Sequence, residues 1–207
     1  MRSEAAGVGM LRRECQPLYG RRVADALARP RGEARITLWP THSRPSEGAE
    51  EMEVRWTDLF AILGEWRPWR GRFSHPGWCA ATFAPAIRTP ANIRSVSALV
   101  QRFDTVNGVS IERFRDAWPR FEGLIYTTAE HTPARPSFVA VLAYARLVSG
   151  EEHRDAVERL GAQARREGRP FDPGARNPAR FVYLPGAVPG RPFEAHELRG
   201  SLFVTSR

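Results

Sequence analysis

The run FVAVLAYARLV, Phe138 to Val148, most constrains what this chain can fold into. It alternates too little between apolar and polar positions to be a half-solvated strand, so it reads as a strand buried on both faces. Neighbouring elements must therefore cover each side of the sheet that contains it.

The rest of the sequence supplies such neighbours. ARITLWP alternates through Ile36 and Leu38 and stops at Pro40, and SALVQRFD, GLIYTT, RFVYLP and SLFVTS read as further strands. In VRWTDLFAILG, Val54, Leu59, Ile62 and Leu63 fall near helical spacing, Trp56 and Phe60 widen the apolar face, and Gly64 supplies a stop. NGVSIERFRDAW opens on a turn signal, Asn107-Gly108, and offers Ser110 as N-cap to a helix carrying Ile111, Phe114 and Trp118. The clearest helix is SGEEHRDAVERLGAQARREG: Ser149 with Glu152 makes a capping box, arginines fill the last turn and Gly168 ends it. THSRPSEGAEE and the Trp-, Pro-, Gly- and Arg-rich stretch Glu65 to Thr89 read as surface loops. Strands interspersed with helices predict an α+β (mixed α/β) domain over 33–207, with a central mixed sheet flanked by helices. Residues 1–32 are expected to form a flexible arm, with a short helix around Arg21 to Ala28.

Charge narrows the function without settling it. All 31 basic residues are arginine and the net charge is +8. Arginine's planar fork suits phosphate, which points to nucleic acid; a coding bias toward arginine would give the same composition on a solvated surface. Aromatic and arginine side chains interleave in EWRPWRGRFSHPGW, which fits base stacking and equally fits the edge of a core. Cys15 and Cys79 stand far apart in no ligand spacing, and His42, His75, His153 and His196 form no metal pattern and are expected at the surface. No apolar run approaches the roughly 18 residues of a membrane span, and no signal peptide is visible, so a cytoplasmic protein with no membrane partner is expected. Phosphate-binding glycine loops, nucleophile elbows and zinc-protease motifs are lacking.

Three strand ends carry the remaining polar motifs: RFD at 102–104, TAEH at 128–131 and FDPGARNPARFVYLP at 171–185. Together they resemble the small primase–polymerases of the archaeo-eukaryotic primase superfamily, found on phages, plasmids and integrated elements. The resemblance covers about Ile36 to Phe193. In that family a strand ends in two acids one residue apart, the next strand closes on His, and a later Asp completes a site for two divalent cations. Carried over residue by residue, Asp104 matches the second acid, His131 the histidine that contacts nucleotide phosphate, and Asp172 the third acid, with Asp104 and Asp172 as metal ligands. Arg146 and Arg180 match positions where relatives hold phosphates or template.

The resemblance implies template-directed nucleotidyl transfer with Mg²⁺ or Mn²⁺, from nucleoside triphosphates, on single-stranded or primed DNA, with any helicase expected as a separate protein. Two positions depart from the pattern. Arg102 stands at the first acid, placing a fixed positive charge where metal cations should sit. Val139 stands where relatives commonly carry arginine. Two functional expectations follow: an active DNA primase–polymerase whose site recruits another carboxylate, or an inactive nucleic-acid or nucleotide-binding accessory protein of a mobile-element replication system. An interaction domain with no nucleic-acid role is a third.

Overall fold

The computed structural model describes residues 32–40, 49–104 and 106–204, all within the unit Arg31–Arg207. The expected arm, apart from Gly32, lies outside the described residues, as do its helix, His42 and Cys15.

Among the described residues, nine strands divide between two sheets. One contains β1 (Glu33–Trp39), β2 (Glu50–Arg55), β3 (Gly77–Cys79) and β8 (Val182–Tyr183) in the order β2-β1-β3-β8. The other contains β4 (Ala81–Phe83), β5 (Ile93–Phe103), β6 (Gly123–Thr127), β7 (Phe138–Val148) and β9 (Ala195–Leu198) in the order β4-β5-β7-β6-β9. Every pairing between these strands is antiparallel. The helices are α1 (Trp56–Leu63), α2 (Ile111–Ala117) and α3 (Gly150–Arg166). The α+β class expected from sequence is the observed one, with the strands partitioned into two antiparallel sheets.

The position of β7 shows why its sequence does not alternate. Phe138, Ala140, Leu142 and Tyr144 pack into one apolar cluster with Phe114 of α2 and Val157, Leu160 and Ala164 of α3. Val139, Val141 and Ala143 point the other way, into a cluster with Trp56, Leu59 and Leu63 of α1 and Ile36 and Trp78 of the four-stranded sheet. Each large side chain buried this way contributes about 1.5–3 kcal/mol of transfer free energy. The five-stranded sheet is thus the middle layer.

Local signals at the helix ends are realised. Ser110 Oγ accepts the Arg113 N–H at 3.1 Å, and at α3 Ser149 and Glu152 cap each other at 3.1 and 2.8 Å. Arg146 holds the Glu152 carboxyl down to about 2, with help from the Ser149 N–H.

Several expectations are corrected. Glu50–Arg55, assigned partly to a loop and partly to the first helix, is an edge strand pairing with β1, and α1 begins at Trp56. Within the supposed surface loop, Gly77–Phe83 forms two short strands whose Trp78 and Cys79 are fully buried. Flanking Pro and Gly concealed this run, which gains its order from pairing with β1 and β5. Ser201 and Phe203 form only isolated bridges, while the strand lies upstream at β9. Between them, Gly200 allows the chain to pass against Arg120, where a Cβ would sit 2.2 Å from the carbonyl carbon. His75 and His153, expected at the surface, are 1% and 2% exposed. His75 packs its ring 4.4 Å from that of Trp69, and His153 bridges Tyr144 Oη and the Ala175 carbonyl, both at 2.8 Å.

Candidate functional site

A cleft of about 410 Å³ opens where the two sheets approach. Its wall takes Arg102 from β5, Tyr126 from β6, Val139 from β7, Thr128 to Glu130 from the turn after β6, and Phe181 to Leu184 around β8. Trp69, Arg72 and Arg88 come from the segment between α1 and β5, and Asn177 and Arg180 from the turn before β8. Among the described residues the lining thus holds four arginines, Arg72, Arg88, Arg102 and Arg180, and one carboxylate, Glu130. Such an arrangement attracts anions, and arginine's paired donors match phosphate.

Each arginine is placed by its surroundings. Arg88 lies over the rings of Trp39 and Phe181, 5.7 and 5.3 Å from their centroids, and donates to the Ala179 carbonyl at 3.1 Å. Arg102 reaches Glu130 at 3.6 Å, a long contact between half-exposed or exposed groups. The Nε–H groups of both Arg88 and Arg102 are buried without a hydrogen-bond partner. Arg180 pairs with Asp172. The aromatic part of the wall is held rigidly: Tyr126 Oη accepts the Trp78 indole N–H at 3.1 Å and donates to the Tyr183 carbonyl at 2.9 Å. Burial pushes the Tyr126 phenol pKa well above its usual value, so it remains a neutral strut.

The residues singled out from sequence have different fates. Arg180 lines the cleft. Asp172 sits directly behind it, at 9% exposure. Its Oδ2 accepts from Arg180 and from the Arg102 main-chain N–H at 2.8 Å, and its Oδ1 accepts the Gly174 N–H at 2.8 Å. Asp104, just past the end of β5, accepts the Val106 N–H at 3.1 Å through Oδ1 and the Asn107 N–H at 3.1 Å through its carbonyl, a turn-forming arrangement outside the cleft lining. His131 is 3% exposed and also outside the lining. Its Nδ1 accepts the Ser137 N–H at 3.3 Å, leaving Nε2 buried without a hydrogen-bond partner and 3.6 Å from Glu194. Arg146 lies seven residues beyond Val139 on β7, about 23 Å at strand rise, and pairs with Glu152 at 2.6 Å. The structure does not bring it to the cleft.

The divalent cations implied by the resemblance can be tested against these surroundings. Asp172 already accepts three hydrogen bonds, one of them from a guanidinium, and Asp104 is engaged in its own turn. The Arg102 side chain occupies the neighbouring wall. Among the described residues no group of three or more His, Cys, Asp or Glu is arranged to hold a metal ion. As placed, these residues do not fit a divalent cation, and no metal-assisted step is derived from them.

Sequence reasoning flagged the segment that supplies Trp69, Arg72 and Arg88 without singling out those residues, and it missed Glu130 and Tyr183. The interleaved EWRPWRGRF was the available signal. Among the described residues no helix is long and apolar enough to cross a membrane.

Comparison with known proteins gives a short result. A scan of protein-family models and a search of curated protein sequences each find no match. Among solved structures, the chain is similar to the AEP domain of the cyanophage S-2L primase–polymerase (PrimPol), at 17% identity over 87% of this chain and 89% of that one, with a TM-score of 0.46.

Proposed function

We propose that residues 33–207 form a binding module for the phosphates of single-stranded DNA or of nucleoside triphosphates, on a frame like that of the primase–polymerases, and that it binds these ligands without transferring nucleotides. This is the accessory role within a mobile-element replication system, beside a separate helicase. One observation carries the reading: Arg72, Arg88, Arg102 and Arg180 line the same cleft. Guanidinium donors come in pairs that match the oxygens of a phosphate. The aromatic wall of Trp69 and Tyr183, with ring centroids 5.1 Å apart, gives a base or sugar an apolar surface beside those donors.

The test is fluorescence anisotropy of labelled oligo(dT), with dTTP as competitor, in EDTA. Binding should persist without divalent metal and weaken steeply from about 50 to about 200 mM salt as counterion release is lost. Absence of binding to both ligands, or affinity indifferent to salt, overturns the reading.

A further inference from the structure

The turn Asp172–Arg180 reaches three of the four arginines in the cleft. Asp172 accepts from the Arg180 guanidinium and from the main-chain N–H of Arg102. Just before Arg180 the chain turns, with the Arg180 N–H on the carbonyl of Asn177 three residues earlier at 3.1 Å, and the Ala179 carbonyl receives Arg88 at 3.1 Å. The turn is fastened to β5, since the Asp172 N–H donates to Oε1 of fully buried Gln101 at 3.1 Å. Gly174 is closely packed here: a Cβ would stand 3.0 Å from Asp172 Oδ1 and 3.2 Å from Arg180 Nη1, so both side chains would have to shift by a few tenths of an ångström.

Building on the binding reading above, we infer that Asp172 is a positioning residue that holds the Arg180 guanidinium in the cleft and pins the backbone of Arg102, so that Arg102 and Arg180 supply the positive charge that the resemblance assigns to divalent cations. A carboxylate has roughly four acceptor positions, and three are used here by protein donors. The same carboxylate can direct a guanidinium or ligate a metal, and the Arg180 charge beside it favours the first.

Charge alone and positioning predict opposite signs. Asp172→Asn removes a negative charge beside an anion site, which by Coulomb attraction tightens phosphate binding. Loss of the Arg180 anchor weakens it. The experiment measures oligo(dT) and dTTP affinity, with EDTA and with Mn²⁺, for wild type, Arg102→Ala, Arg180→Ala, Asp172→Asn, Asp172→Asn/Arg180→Ala and Gly174→Ala. Asp172→Asn should weaken binding about as much as Arg180→Ala and lower the salt slope for the strand by about 0.7, one phosphate contact. The double variant should bind no more weakly than Arg180→Ala alone. Gly174→Ala, which changes no charge, should also weaken binding, and it decides the matter if Asp172→Asn does not fold.

Unchanged or tighter binding by Asp172→Asn and unchanged binding by Gly174→Ala, with Arg102→Ala and Arg180→Ala both weaker, overturns the positioning role while leaving the binding function intact. Wild-type affinity that requires Mn²⁺ and loses that requirement in Asp172→Asn also overturns it, making Asp172 a metal ligand. No wild-type binding at all, or no effect of Arg102→Ala, removes the binding reading itself.

Discussion

Replacing Arg102 by alanine removes one lining guanidinium while leaving its main-chain N–H bond to Asp172 in place. A unit charge about 4 Å from a phosphate is worth about 4 kcal/mol at an effective dielectric constant of about 20. The Arg102 side chain is 40% exposed, so solvent and salt screen that attraction. A net loss of about 1.5–2 kcal/mol is expected, comparable to a charge-assisted hydrogen bond, which raises Kd about 10–30-fold. Titrating labelled oligo(dT) in EDTA across a salt series measures the loss and should show the salt slope reduced by about 0.7. Arg102→Asp should bind about twice as weakly in free-energy terms as Arg102→Ala, because it reverses the charge rather than deleting it. It should still take up no Mn²⁺ by calorimetry, since Asp172 remains committed to Arg180 and Gly174. An Arg102→Ala Kd within about twofold of wild type, or Mn²⁺-dependent nucleotide binding by Arg102→Asp, refutes this reasoning.

Glu130→Gln should tighten phosphate binding about two- to fivefold by freeing Arg102 from its long ion pair; weaker binding in the same titration counts against the pairing seen here. Tyr126→Phe leaves the buried Trp78 indole N–H without its acceptor and should cost about 1–3 kcal/mol in urea unfolding; an unchanged unfolding free energy refutes that role for the phenol. Two buried histidines make stability depend on pH in the same direction: burial lowers the pKa of His75 and, further, that of His153, from 6.5 to about 4. Because the unfolded imidazole binds protons first, stability should fall as pH drops from about 6.5 to about 4, by on the order of 3 kcal/mol. His153→Gln should flatten that part of the urea-midpoint profile, and an unchanged profile assigns the dependence elsewhere. Cys79 should resist thiol reagents in the native protein, because burial pushes its pKa up to about 12; rapid labelling before unfolding contradicts that placement.

Sequence patterns with a local physical cause were readable. The capping box at Ser149, the Ser110 cap and the unbroken apolar run of β7 are properties of neighbouring residues, and each appears where its pattern puts it. Patterns that depend on remote partners were obscured. Edge strand β2 is charged at alternate positions and exists because β1 lies beside it, and Gly77–Phe83 is ordered by β1 and β5 despite its proline-rich flanks. The site divided along the same line. Arg180, singled out by its motif, lines the cleft, whereas the lining positions of Arg72, Arg88 and Glu130 arise from segments far apart in the chain.

The sequence by itself determined that the chain carries a strand buried on both faces and an excess of arginine, because periodicity and composition are written along the chain. Only the tertiary structure decided how those charges are used. Asp172 meets Arg180 and the Arg102 main-chain N–H because a turn seventy residues beyond Arg102 folds back against β5, where the Asp172 N–H is held by Gln101, and no local pattern sets that encounter.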